Sequence, residues 1–151
     1  MARIDFAFGA TERIEQACLT TYRQYQAGQR LLIISTKTEA LRKLDAMLWT
    51  RSDTSFVPHV WSDDPLASST AVVLAGTGHI EESIASASPG TWLLNLDDEC
   101  PANLGRIERV LEIVSDDPQD KELARQRWRK YQTAGHLLKA HALVSTSDDR
   151  L

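Results

Sequence analysis

Residues 31–50 read LLIISTKTEALRKLDAMLWT, and the change of period within them decides the fold. Leu31-Leu32-Ile33-Ile34 is an unbroken apolar run, the pattern of a strand covered on both faces in a parallel sheet. The polar turn STKT follows. From about residue 37 to 50 the spacing becomes helical, with Leu41, Leu44, Leu48 and Met47 on one side. A doubly buried strand feeding an amphipathic helix is half of a βαβ unit, for which right-handed crossovers are expected.

The same rhythm extends outward. Upstream, Ile4, Phe6 and Phe8 alternate with Arg3, Asp5 and Ala7, a strand over Ala2 to Phe8. Thr11 offers a cap, and Ile14, Ala17, Cys18, Thr21, Tyr22 and Tyr25 recur at helical spacing as far as Gly28, a residue type common just past a helix end. Downstream, Ala71 to Ala75 (AVVLA) and Thr91 to Leu96 (TWLLNL) are further buried strands. The stretch GTGHIEESIASASPG between them fits either a short helix or a loop. Ile107 to Val114 (IERVLEIV) reads as an abbreviated helix feeding a last strand. Asp116-Asp117-Pro118 starts a final helix of about 118 to 134, closed near Gly135. The expectation is one α/β domain over residues 1–138, a three-layer, mostly parallel sheet flanked by helices. Residues 139–151, weakly periodic, are expected to fray.

Composition narrows the function classes. The chain has 151 residues, 42% of them hydrophobic and 25% charged, with seven glycines and five prolines, as in an ordinary globular domain. A net charge of -4 disfavours a nonspecific grip on nucleic acid, which needs a basic surface. No apolar run approaches the ~20 residues that span a bilayer. The first residues lack the basic-then-apolar layout of a secretory signal. Cys18 and Cys100 stand apart, which suits reduced thiols in a cytoplasmic protein.

Catalytic signals are weak. Gly76-Thr77-Gly78 follows a strand and could cradle a phosphate, but it lacks the third glycine and the lysine-serine pair of nucleotide-binding loops; an ordinary turn explains it better. Asp97-Asp98-Glu99 could hold a magnesium ion, or simply cap and solvate a loop. His59, His79, His136 and His141 show no zinc spacing, so no metal site is assigned. A small nucleotide-binding enzyme built on Gly76 to Gly78 with Asp97 or Asp98 is the alternative reading.

Two other stretches point to partners. Beyond the helix that ends near Trp49, a polar loop carries Phe56, Val57 and Pro58, with Trp61 just after. Apolar surface left in water costs ~25 cal/mol per Å², so these residues either pack inward or form a covered patch. In the last helix, Lys121, Arg125, Trp128 and Arg129 fall in one stripe about 100° wide, while Leu123, Ala124, Tyr131 and Ala134 favour another side. Residues 119–130 (QDKELARQRWRK) hold five cations against two anions, in an acidic chain. A basic stripe holding an aromatic can receive a carboxylate together with an apolar side chain, as at the end of an acidic, hydrophobic peptide tail. Stacked bases of single-stranded DNA fit less well.

With both stretches in view, the sequence resembles the chi subunits of bacterial DNA polymerase III. The likeness is sharpest in ALRKLDAMLWTRSDTSFVPH (40–59) and DKELARQRWRKYQTAG (120–135). The resemblance implies a mononucleotide-binding-like α/β fold with no cofactor and no catalysis of its own. It implies an accessory subunit that bridges the clamp loader, through the psi subunit, to the C-terminal tail of single-stranded DNA-binding protein, as a monomer or a heterodimer with psi. By position, Trp49 and Phe56, with Pro58 nearby, would face psi. Lys121, Arg125, Trp128 and Arg129 would receive the tail, with Val114 as an apolar contact. A member of that family carries tyrosine where Trp128 stands, so an aromatic is kept.

Overall fold

The run Leu31–Ile34 is strand β2, buried at all four positions and hydrogen-bonded on both sides. The structure, a computed structural model, describes residues 1–50 and 56–143. In chain order these residues form β1 (Arg3–Ala10), α1 (Arg13–Gln26), β2, α2 (Thr38–Thr50), β3 (His59–Trp61), β4 (Val72–Ala75), α3 (Ile80–Ala85), β5 (Trp92–Asn95), β6 (Arg109–Ser115), α4 (Pro118–Thr133) and β7 (Leu137–Ala142). The strands make one sheet in the order β3-β4-β2-β5-β6-β1-β7, and every pairing is parallel.

Side chains alternate across the sheet, which splits the core in two. Leu31, Ile33, Leu111 and Ile113 pack under α1 and α2, against Ala17, Leu41, Leu44 and Leu48. Leu32, Ile34, Val110 and Val114 pack on the other face with Ile84 of α3 and Ala124 and Tyr131 of α4. These are the three layers expected from the sequence. α1 and α4 end just before Gly28 (φ +83°) and Gly135 (φ +88°), in the left-handed conformation that glycine adopts without steric penalty.

Several local expectations change. Ile107 to Val114 contains no helix: it enters β6 directly, and every β6 residue after Arg109 is buried, Glu112 included. Aliphatic residues on both sides of that strand face a helix layer, so both parities are apolar except where the carboxylate is paired. The alternation of β1 holds only in part: Ile4 and Phe6 are buried as expected, but Asp5 and Ala7 are buried as well. Asp5 is fully buried and paired with Arg3, Arg109 and His141, whereas Phe8 is 45% exposed. β1 contributes to both cores, Ile4 and Phe6 on the α4 side and Ala7 and Ala10 on the α1–α2 side, so neither of its faces belongs wholly to solvent. The stretch 76–90 resolves into the six-residue α3. Residues 139–142, expected to fray, lie in β7, where parallel pairing to β1 and the His141–Asp5 contact of 2.8 Å hold them. An edge strand keeps one side open, so β7 carries little apolar periodicity to reveal it. Residues 144–151 lie outside the described residues.

Candidate protein-docking site

α4 starts on a local signal. The Asp117 side chain accepts from the amide of Asp120 (3.0 Å), and Pro118 occupies the first turn, where a missing N–H is harmless. The Asp120 carboxylate accepts from the Ser115 amide (2.7 Å) and hydroxyl (2.8 Å), fastening the helix to the end of β6. Its buried positions are Ala124, Arg127 and Tyr131. Leu123 is only half-buried and Ala134, one residue past the helix end, is exposed. Arg127 was not anticipated: it is the largest fully buried side chain. Its Nε donates to Glu112 Oε1 (3.0 Å) and its Nη1 to the Asp98 carbonyl (3.3 Å). The other Glu112 oxygen accepts from the Tyr131 hydroxyl (2.7 Å) and Asn95 Nδ2 (2.8 Å). Burial, with Glu112 adjoining, pushes the Tyr131 hydroxyl far above the ordinary phenol range; the same causes push the half-buried Cys100 thiol up to about 11.

The flank of α4 beside that buried stripe borders a groove of about 520 Å³, with Ala124 at the boundary. All five residues assigned from the sequence to the tail, Val114, Lys121, Arg125, Trp128 and Arg129, line it. Lys121, Arg125 and Arg129 are exposed, one turn apart along the helix. Arg125 Nη1 meets Glu122 Oε1 at 3.4 Å, both side chains more than half exposed. The Trp128 indole is half-buried against Phe6, ring centroids 5.1 Å apart. Phe6 and Phe8 of β1 and Ala140 of β7 supply further lining that sequence analysis did not assign. The signal for Phe8 was present in the period of β1, which puts it on the same side as Phe6. Its meaning needed the neighbours of that strand. A row of cations above an apolar floor can hold a carboxylate and an adjoining apolar side chain at once.

At the other edge of the sheet, Trp49 closes α2 and stacks obliquely on Phe56, with centroids 5.3 Å apart. The two are 56% and 54% exposed; Pro58 is half-buried and Val57 fully buried. The buried His59 ring lies 4.9 Å from Trp49 and bridges the Val57 carbonyl (2.7 Å, Nδ1) and Asp45 Oδ1 (2.9 Å, Nε2), which pins this end of the loop under α2. Trp61, half-buried, packs on the α1–α2 core. The part of the loop at 51–55 lies outside the described residues. The exposed aromatics and the groove thus sit on opposite faces and at opposite edges of the sheet.

The segments weighed for catalysis are engaged locally. The Gly76 carbonyl accepts from the His79 amide (3.0 Å), and Thr77 Oγ1 donates to the Thr36 carbonyl (3.2 Å). Asp97 accepts from Thr36 Oγ1 (2.8 Å), and Asp98 pairs with Lys37 (2.8 Å). Arg13 occupies the crevice at the carboxyl ends of the strands, where open α/β sheets bind ligands, and donates to the carbonyls of Asn95, Leu96, Asp97 and Ile113. Burial, with Arg127 nearby, lowers its pKa, against the pull of Glu112, Asp120 and Asp98. His136 Nδ1 accepts from the Ala2 amide (3.0 Å). Among the described residues no cluster of three His, Cys, Asp or Glu is placed to hold a metal, and no helix is long and apolar enough to cross a membrane.

Comparison with known proteins adds an independent finding. Residues 1–139 match the family model described as DNA polymerase III chi subunit, HolC. DNA polymerase III subunit chi of Pseudomonas aeruginosa is 26% identical over 150 residues, covering 95% of this chain and 98% of that protein. The Escherichia coli subunit chi is 27% identical over 123 residues (81% of this chain, 80% of that protein). That of Haemophilus influenzae is 24% identical over 121 residues (80% and 81%).

Proposed function

The chain belongs to the DNA polymerase III chi subunit family, and on that premise we propose that it is a non-catalytic, cytoplasmic accessory subunit that tethers the clamp loader to single-stranded DNA-binding protein. Membership makes it a replication accessory protein. The tether extends that role: the α4 groove receives the acidic C-terminal tail of single-stranded DNA-binding protein, and Trp49, Phe56 and Pro58 engage psi. The observation that carries the reading is the meeting of Lys121, Arg125 and Arg129 with Val114, Trp128 and Phe8 around one groove. Cations alone would suit any anion. Cations beside exposed phenyl and half-buried indole surface suit a carboxylate-bearing chain that ends in an apolar residue.

A short peptide gripped in this way binds weakly, at about micromolar Kd or -8 kcal/mol. Several tails on one DNA-coated oligomer then raise the apparent affinity through local concentration. Separate edges for the two contacts let both partners be held at once. The test is fluorescence anisotropy with a labelled peptide copying that tail, beside a peptide whose acidic residues are replaced by their amides. Salt-sensitive binding of the first and loss of the second are expected; equal binding of both would sink the proposal.

A further inference from the structure

A second question, resting on the tail-docking reading, is what aims the cations of α4. The fully buried positions of the helix are a small alanine and two side chains with polar ends, and its aromatic packing, Trp128 and Tyr131, converges on the single ring of Phe6. Apolar contact is non-directional, so it sets the distance of such a helix from the sheet better than its rotation. Hydrogen bonds are directional, and two converge here on one carboxylate. Glu112 is fixed in β6 and braced by Asn95; it takes Arg127 on one oxygen and Tyr131, one helical turn later, on the other. Trp128 and Arg129 lie between those two anchors, and Arg125 and Lys121 continue the same stripe.

We propose that Arg127 and Glu112 are positioning residues: the ion pair sets the rotation of α4 and so holds Lys121, Arg125, Trp128 and Arg129 over the groove. A rotation of about 20° would carry groups at the ~5–6 Å radius of a helix surface through roughly 2 Å, enough to break charge-assisted hydrogen bonds to a bound carboxylate. Stability alone does not account for the pair. Buried ion pairs replaced by apolar groups are often neutral or stabilising, and Arg127 Nη2 is buried without a hydrogen-bond partner among the described residues. Neither residue lines the groove, so neither touches the ligand.

The experiment compares the wild-type chain with Glu112→Gln/Arg127→Met. Glutamine can still accept from Tyr131 and Asn95, and methionine fills much of the arginine volume. The double variant is expected to fold, by circular dichroism and thermal melting, but to bind the tail peptide about five- to tenfold more weakly. Its affinity should also fall less steeply with salt, because the cations no longer converge; a purely structural pair, neutral in sum and buried, would leave that slope alone. Arg127→Lys, which keeps the charge, should lose less. The Trp128 indole N–H resonance, assigned with Trp128→Phe, should shift in the ligand-free double variant. A folded double variant with wild-type affinity, or with an unmoved indole resonance, overturns the proposal. A wild-type chain that ignores the peptide overturns the tail reading, while the indole resonance still reports on the helix. If the double variant fails to fold, Tyr131→Phe decides, removing one anchor and leaving the charges paired: about two- to threefold weaker binding supports the clamp, and unchanged binding refutes it.

Discussion

Arg125→Ala separates binding from folding most cleanly. Its side chain is 62% exposed and its partner Glu122, at 3.4 Å, is 52% exposed. Such an exposed i,i+3 pair contributes about 0.5 kcal/mol or less, so its removal should move Tm by no more than ~2 °C in a chain of this size. Binding is another matter. A hydrogen bond between charged groups is worth about 1.5–3 kcal/mol where it is formed. Giving up Glu122 and staying partly in water takes back some of that, leaving a net ~1–2 kcal/mol, or about five- to thirtyfold in Kd. Anisotropy titration of a labelled acidic tail peptide at low salt reads this directly. Near 1 M salt, where the screening length is ~3 Å, the gap between wild type and variant should narrow to about twofold. Glu122→Gln should act in the opposite sense and tighten binding about twofold, because a competing carboxylate beside the incoming one is gone. Arg125→Ala within twofold of wild type at low salt, or Glu122→Gln binding more weakly, would refute the placement of the tail beside this turn of the helix.

Three further outcomes follow from the geometry. Trp49→Ala removes a large exposed ring and little core, so it should weaken capture of the clamp-loader partner by about thirtyfold or more in surface plasmon resonance, with tail affinity unchanged; parallel loss of both contacts would mean misfolding instead. At Asp5, burial raises the pKa, but the hydrogen bond from His141, the charge of Arg109 and the hydrogen bonds from Arg3 and Arg109 outweigh it and hold the carboxyl below the ordinary range. A depressed folded pKa stabilises above the unfolded value of ~3.9 and the gain is lost as pH falls through the folded value; Asp5→Asn should therefore cost about 2–3 kcal/mol near pH 7 in urea unfolding, with the difference from wild type shrinking below about pH 4. Nucleotides with magnesium should leave Tm unmoved, since Arg13 and Lys37 already serve the chain's own carbonyls and Asp98; a rise of several degrees would favour the nucleotide-binding enzyme.

Much of this molecule is local in origin and could be seen as such. The change from a solid apolar run at 31–34 to helical spacing after 37 specifies strand and helix, because burial on two faces and on one stripe leaves different periods. The spacing of Lys121, Arg125, Trp128 and Arg129 puts them on one side of any helix they form, whatever lies beneath. What lies beneath was decided elsewhere. Arg127 and Glu112 are charged residues in the interior, and only the meeting of α4 with β6 makes them a pair. Strand β7 has no periodicity of its own; it exists because β1, more than 130 residues earlier, offers an edge and a buried carboxylate. Phe8 lines a groove only because β1, β7 and α4, distant in sequence, meet on one side of the sheet. Side-chain period is a property of neighbouring residues, whereas the solvation of a charge or an edge depends on which distant strand arrives beside it, and that only the folded chain decides.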